Sequence, residues 1–384
     1  MPTDGYPSVA AKEEWRNIAE VVKSQWDTVA ARMDSEPGRT CVKKACGQLA
    51  RHVLNLYTCQ PNRRFAWAFV AINAFMYVCL FGRDRVYRTR AIDLATLAGR
   101  LQFAQFLVLC SLAGPAQFGF DPTIEFDAKM EHWAITCFDD ACIADTPTQQ
   151  VYYAHASTVS TRPSLFGRHI TTFFASAQPG GEPAVFIKDA WPVVAVDATG
   201  DDPCNEAAIL RRIHKHFSMH GPAVPYPKLL VGGIVWQCSD GNWAQDDTTL
   251  AYGGIEAAMP VPDSQSLSLP VYRVHRRIVM TPLAERLDTL CDFNQLIMVL
   301  ADAMSCHREL YNNCRIFHRD ISINNIMVVR QGGALRGMLV DFDNAIDRDA
   351  ALMPDRAGRV GTMPFMSIGN LEGNDTKRTA LDDW

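Results

Sequence analysis

Two segments in the last quarter of the chain carry residues of the kinds that move phosphoryl groups. FHRDISINNIMVV (residues 317–329) places Asp320 and Asn325 five residues apart, on what reads as a loop after a long helix. Phosphoryl transfer needs a carboxylate to accept or orient the attacking hydroxyl and an amide oxygen to hold a metal ion. Read alone, the same run is also a polar turn beside a helix. GMLVDFDNA (residues 337–345) places Asp341 at the end of an apolar strand, so that its carboxylate projects from a rigid element. A carboxylate held there can bind a Mg²⁺ that bridges two phosphates. An Asp after a strand is by itself more often a turn residue. The two segments together are more specific, and the 21 residues from Asp320 to Asp341 leave room for a two-stranded ribbon.

A third segment, AVFIKDAW (residues 184–191), ends an apolar strand with Lys188. A cation there can meet phosphate oxygens, although a lone strand Lys commonly snorkels to solvent. The following run, DDPCNEAAILRRIHKHF (residues 201–217), reads as a helix with Asp202 as cap and Pro203 in its first turn. Glu206, Leu210, Ile213 and Phe217 recur at helical spacing, which puts Glu206 on the buried stripe. A buried carboxylate needs a cation, and Lys188 is the natural candidate.

The elements that must hold these groups follow a legible order. Residues 8–34 read as an exposed charged helix, and residues 40–140 mix apolar runs with Arg-rich punctuation. A domain boundary is expected near residue 150. Beyond it come a β-rich stretch at 164–190, a helix at 203–219, a polar insertion at 236–268 and the strand RRIVM ending at Met280. A long helix is expected over 292–313. Asp292 and Gln295 begin it as in a capping box, and Phe293, Leu296, Ile297, Leu300, Met304 and Leu310 form its apolar stripe. The whole reads as α+β with two lobes.

Bulk properties narrow the function classes. The 384 residues are 48% hydrophobic, enough for two domains, and the net charge of −5 gives no electrostatic reason for a nucleic-acid partner. The 12 cysteines are scattered without a Cys-x-x-Cys pair, which suits small buried side chains in a reducing compartment, cytoplasmic or nuclear. The N-terminus lacks the pattern of a secretory signal. The apolar run at 65–81 is 17 residues long and contains Asn73. It is read as buried strands or a buried helix, with a membrane span as the weaker alternative.

The segments HRDIS, VDFDNA, RVGTMPFM and LDDW, in that order, resemble the fungal-type protein kinase family. QPNRRF (residues 60–65) and FGFDPTI (residues 118–124) are similar to the extra domain those kinases carry. The resemblance implies a two-lobed protein kinase-like fold over 151–384, with a small lobe to about 283 and a partial large lobe over 284–384. An N-terminal α+β extension domain over 1–150 would precede it. It implies transfer of the γ-phosphate of ATP, with Mg²⁺, to Ser or Thr of a protein substrate. Under it Asp320 is the catalytic aspartate, and Lys188 contacts phosphates and pairs with Glu206. Asn325 and Asp341 hold Mg²⁺, Met280 borders the adenine, and Thr281 to Leu283 form the hinge. Gly167 belongs to the phosphate-covering loop, and Asp382 steadies the catalytic loop.

The sequence also departs from the family pattern. LFGRHITTFF has one glycine, Gly167, in the covering loop; Asp343 replaces the glycine of Asp-Phe-Gly; Gly369 stands where a glutamate is expected. Ser322 replaces a Lys that stabilises the transferred group. The chain stops at Trp384, where the central helix of the large lobe should begin, so the fold is expected to be C-terminally truncated. Arg319 commonly pairs with a phosphorylated loop, yet residues 344–361 hold no Ser, Thr or Tyr. Asp347, Asp349 or Asp355 is expected in the phosphate's place. The competing functions are a kinase-like binding module without catalysis and a small-molecule phosphotransferase.

Overall fold

The computed structural model describes residues 24–25, 36–89, 91–140, 147–162, 164–194, 205–221, 224–239, 241–248, 272–347, 361–368 and 371. The chain divides into two compact units that interleave along the sequence. One comprises Met1–Pro183, Lys188–Val193 and Ile234–Arg277; the other comprises Ala184–Ile187, Val194–Gly233 and Ile278–Trp384. The boundary expected near residue 150 falls inside a strand, Thr148–His155, whose eight residues pair without a break to the strand before it.

In the first unit, α1 (Glu36–Cys59) packs on a sheet built from the apolar run at 65–81. β1 (Ser24–Gln25) pairs parallel to β2 (Ala66–Ile72), and β2 pairs antiparallel to β3 (Phe75–Phe81). The run is therefore a hairpin. Asn73, with φ 54°, supplies the left-handed turn residue that Asn tolerates. In β2 every second residue is buried, the period of a strand with one covered face. Leu49, Val53 and Tyr57 of α1 fill that face against Ala66, Ala68, Val70 and Phe81. No described helix is long and apolar enough to cross a membrane. The helix expected over 8–34 lies outside the described residues except at Ser24–Gln25, which are extended because they pair with Ala71 and Ile72.

β4 (Val86–Arg88) and β5 (Ile92–Asp93) complete this sheet on β3. α2 (Leu97–Leu112) follows, its first turn capped by the Thr96 hydroxyl accepting from the Gly99 amide. β6 (Ile124–Asp127), β7 (His132–Asp139) and β8 (Thr148–His155) form an antiparallel meander.

A five-stranded sheet comes next in the chain. It contains β9 (Val159–Arg162), β10 (Ile170–Ala175), β11 (Val185–Ala190), β12 (Lys228–Ile234) and β15 (Arg276–Thr281), in the order β12-β15-β11-β10-β9. β13 (Trp236–Ser239) and β14 (Asn242–Gln245) form a hairpin within the expected polar insertion.

The second unit is organised by two helices. α3 (Glu206–His220) begins at Asn205, whose side chain accepts from the Ala207 amide. Asp202 and Pro203, the expected start, lie outside the described residues. α4 (Phe293–Asn312) begins at Asp292 as expected, its carboxylate accepting from the Asn294 amide. The cores of both helices merge. Leu210, Ile213 and Phe217 of α3 share one cluster with Val299, Ala303 and Leu310 of α4, and with Ile326, Val328 and Leu339. Each buried Leu, Ile, Val or Phe of this cluster contributes about 1.5–3 kcal/mol by its burial.

The face of α4 differs from expectation. Val299, Ala303, Cys306, His307 and Leu310 are buried, whereas Phe293, Ile297 and Met304 of the expected stripe are exposed. Around α4 lie β16 (Glu285–Arg286), β18 (Ile326–Gln331) and β19 (Ala334–Leu339) as one antiparallel sheet. β17 (Ile316–Phe317) and β20 (Ile346–Asp347) pair beside them. The architecture is mixed α/β with several antiparallel sheets.

Candidate functional site

The second unit brings together three of the residues singled out by chemistry. β18 and β19 form the ribbon between Asp320 and Asp341, in continuous register from Ile326↔Leu339 to Gln331↔Ala334. The ribbon folds the two loops at its open end onto each other. The Val340 amide donates to the Asn325 carbonyl at 3.0 Å, and a ring nitrogen of His318 lies 3.1 Å from the Val340 carbonyl. His318 also packs on Phe342 with ring centroids 4.9 Å apart. Asp341 is thus clamped in a left-handed conformation, φ 65°, between two fixed residues.

Asp320 is held through its side chain. Its Oδ1 accepts from the Thr362 amide at 2.9 Å and from the Thr362 hydroxyl at 2.7 Å, and its Oδ2 accepts from Asn344 Nδ2 at 3.3 Å. Its carbonyl accepts from Asn325 Nδ2 at 2.8 Å, which settles which end of the Asn325 amide is the oxygen. Gly361 permits this approach. It has φ 126°, and a Cβ there would sit 2.9 Å from the Arg319 carbonyl. Thr362 and Asn344 were not singled out from the sequence; RVGTMPFM and VDFDNA contain them, but no spacing rule connects either to Asp320.

Glu206 opens α3 and is 8% exposed, as its place on the apolar stripe required. Its Oε1 accepts from the Phe342 amide at 3.0 Å, so α3 is bonded to the loop that carries Asp341. Oxygens of Glu206, Asp341 and Asp343 lie within 4.8 Å of one another. Clustered carboxylate oxygens are the donor set of a hard cation such as Mg²⁺, so these residues fit the metal implied by the sequence.

Other expected site residues take these places. Arg319, φ 63°, donates from Nε to the Asn344 carbonyl at 2.6 Å. Asp347, one of three acids expected to replace a loop phosphate, forms an ion pair with Arg212 of α3, while Asp349 and Asp355 lie outside the described residues. Ser322 is 2% exposed, and its hydroxyl has no hydrogen-bond partner among the described residues. Met280 is buried in the second unit's core; Thr281 Oγ1 donates to the Ala184 carbonyl at 3.5 Å; Leu283 is half-buried. Gly369 and Asp382 lie outside the described residues.

Lys188 and Gly167 belong to the first unit. Lys188 is 6% exposed on β11, and Asp189 beside it points to the opposite face of the strand. That face holds a buried network of charges. Asp189 Oδ1 accepts from Arg277 Nε and lies 2.8 Å from a ring nitrogen of His275. Arg277 also donates to Asp121 Oδ2 at 2.8 Å, and the other His275 nitrogen lies 2.8 Å from Asp246 Oδ2. Arg64 donates to Asp246 Oδ1 at 3.0 Å.

Burial alone would push His275 down, but Asp189 and Asp246 outweigh it and lift its pKa to about 9. Burial alone would raise Asp121, but Arg277, His275 and Arg64 hold it at about 2. With His275 protonated, Arg64 and Arg277 match the three carboxylates charge for charge. Arg64 comes from QPNRRF and Asp121 from FGFDPTI. The two motifs meet directly through Arg64 N–H to the Gly119 carbonyl and Asp121 N–H to the Asn62 carbonyl.

The Gly167 loop is tied to the same unit. Its amide donates to the Arg83 carbonyl at 3.0 Å, and Leu165 packs against the α1–β2–β3 core. His169 is buried beside Tyr57, and burial with the nearby Arg83 lowers its pKa to about 2, so it is neutral.

A family model described as fungal protein kinase matches residues 8–220 and 235–383. No curated protein matches the chain.

Proposed function

We propose, because this chain belongs to the fungal protein kinase family, that it transfers the γ-phosphate of ATP to Ser or Thr hydroxyls of a protein. The observation that carries this reading is the joining of the Asp320 and Asp341 loops, with both Asp320 oxygens held by Thr362 and Asn344. ATP with Mg²⁺, when bound, supplies the phosphoryl group and the charge that neutralises its oxygens.

The residues of the chain do the rest. Asp320 orients the attacking hydroxyl and takes its proton, and the bonds to its carboxylate keep it aimed. Asn325 and Asp341 would hold the metal with oxygen ligands, and Glu206 and Asp343 bring carboxylate oxygens within 4.8 Å of that of Asp341. Glu206 fixes the Asp341 loop through the Phe342 amide. Lys188 serves as the cation for phosphate oxygens.

The test is radiolabelled ATP turnover on Ser- and Thr-containing proteins. Asp320→Asn, Asp341→Ala and Lys188→Met should each lower turnover about 10²–10⁴-fold. Equal labelling by all three and the parent chain would sink the reading.

One observation favours a non-catalytic binding module instead: the Gly167 amide is already bonded to Arg83, so this glycine does not offer its N–H to a phosphate. Absence both of turnover and of thermal stabilisation by ATP with Mg²⁺ would select that reading.

A further inference from the structure

α2 is a surface helix with apolar side chains on both sides. Its inner face is accounted for. Gly99 is buried against β5, where a Cβ would lie 1.9 Å from the Asp93 carbonyl, and the Phe106 ring meets Phe69 at 5.0 Å and Trp67 at 6.3 Å. The outer face should then be polar, as on an ordinary surface helix.

It is apolar instead. Leu97, Leu101, Val108 and Leu112 are 67%, 55%, 56% and 78% exposed, with Leu107 and Leu109 at its flanks. Ala104 lies between Leu101 and Val108, so from Leu97 to Leu112 the outer seam steps by four, three, four and four residues and keeps to one face of the helix. The only charged side chain in the helix is Arg100, and its guanidinium is engaged by the Leu94 and Ala95 carbonyls.

We infer that α2 pairs antiparallel with α2 of a second copy of this chain. The area supports a second copy. Six side chains at least half exposed leave on the order of 500 Å² of apolar surface, near the top of what a monomer shows. Two such faces together reach roughly 1,000 Å², where specific interfaces begin.

Charge sets the direction. Centred between Ala104 and Gln105, antiparallel helices oppose Leu97 to Leu112 and Leu101 to Val108. The two Arg100 positions are then about 13 Å apart along the axis, beyond the screening length. Parallel pairing would set them side by side. A lipid surface is disfavoured, since the helix carries no cluster of basic residues and the chain bears a net charge of −5.

Sedimentation equilibrium of the full chain tests this, and it does not depend on the kinase reading. The parent chain should sediment as a dimer at tens of micromolar. Leu101→Glu and Val108→Lys, both at exposed positions, should each sediment as monomers with unchanged melting temperature. An equimolar mixture of the two should return to a dimer, because antiparallel pairing sets the new Glu against the new Lys. A monomeric parent chain would overturn the inference, whether or not it floats with phosphatidylcholine–phosphatidylserine vesicles. So would a dimer that survives Leu101→Glu, or a mixture that stays monomeric.

Discussion

Asp320 is aimed by a residue 42 positions further along the chain. Thr362 gives it two hydrogen bonds on a single oxygen, and only the hydroxyl bond depends on the side chain. Thr362→Val keeps the amide bond and the volume, so folding should be unaffected while the carboxylate gains freedom. We expect kcat to fall roughly 10- to 100-fold, the scale of a small misplacement of a reacting group. KM for ATP should stay unchanged; steady-state kinetics alongside a thermal melt measures both. Asp320, Asn325 and Asp341 could be singled out in the sequence because each sits in a short, locally patterned segment: Asp320 and Asn325 on one loop, Asp341 after a strand. Thr362 and Asn344 were not. Their bonds to Asp320 exist only once β17 pairs with β20 and the ribbon closes, and no local spacing encodes that. The same holds for the Glu206 bond to the Phe342 amide. Periodicity showed that this acid would be buried, but not which donor it would meet.

Helices and strands were more legible than the faces they bury. α4 begins at the expected Asp292 cap, yet among its expected apolar stripe Phe293, Ile297 and Met304 face solvent. Periodicity identifies a helix; a helix apolar on more than one side leaves the choice of inner face to its neighbours. Here β19 makes the choice. Gly337 brings that strand so close to α4 that a Cβ would lie 2.0 Å from the Val299 carbonyl. Gly337→Ala must therefore push helix and strand apart, and we expect a loss of more than about 3 kcal/mol, read as a fall in the urea midpoint or as insoluble protein. Asn205→Ala removes only the cap of α3 and should cost about 1 kcal/mol in the same measurement. The apolar run at 65–81 taught the same lesson. Its composition left strand and helix open, and a left-handed Asn73 between an alternating strand and an almost fully buried one decided for the hairpin.

At the scale of the molecule, the six-membered charge network is what sequence reading could not reach. Its members come from five separate stretches of chain: Arg64, Asp121, Asp189, Asp246, and His275 with Arg277. QPNRRF and FGFDPTI signalled a distinct domain, but a charge in a motif does not announce its partner. Removing one member strands the others without water, so Arg277→Met should destabilise the protein by about 3–5 kcal/mol. The network also sets a pH window. His275 rises from an ordinary 6.5 to about 9 on folding, so its contribution is complete below pH 6.5 and is lost as pH climbs through 9. Asp121 falls from 3.8 to about 2, so its contribution is complete above pH 3.8 and is lost as pH drops through 2. Denaturant midpoints should therefore plateau between these limits and fall on both sides, and His275→Gln should abolish the alkaline decline; a midpoint that keeps rising above pH 7 would contradict the assignment. Asp189 is the immediate neighbour of Lys188, and two of the six charges in its network, Arg64 and Asp121, come from far upstream in the chain. A shortened gene that starts at residue 151 would thus encode orphaned ions in its own interior, and anyone seeking a minimal soluble catalytic piece should retain residues 60–124.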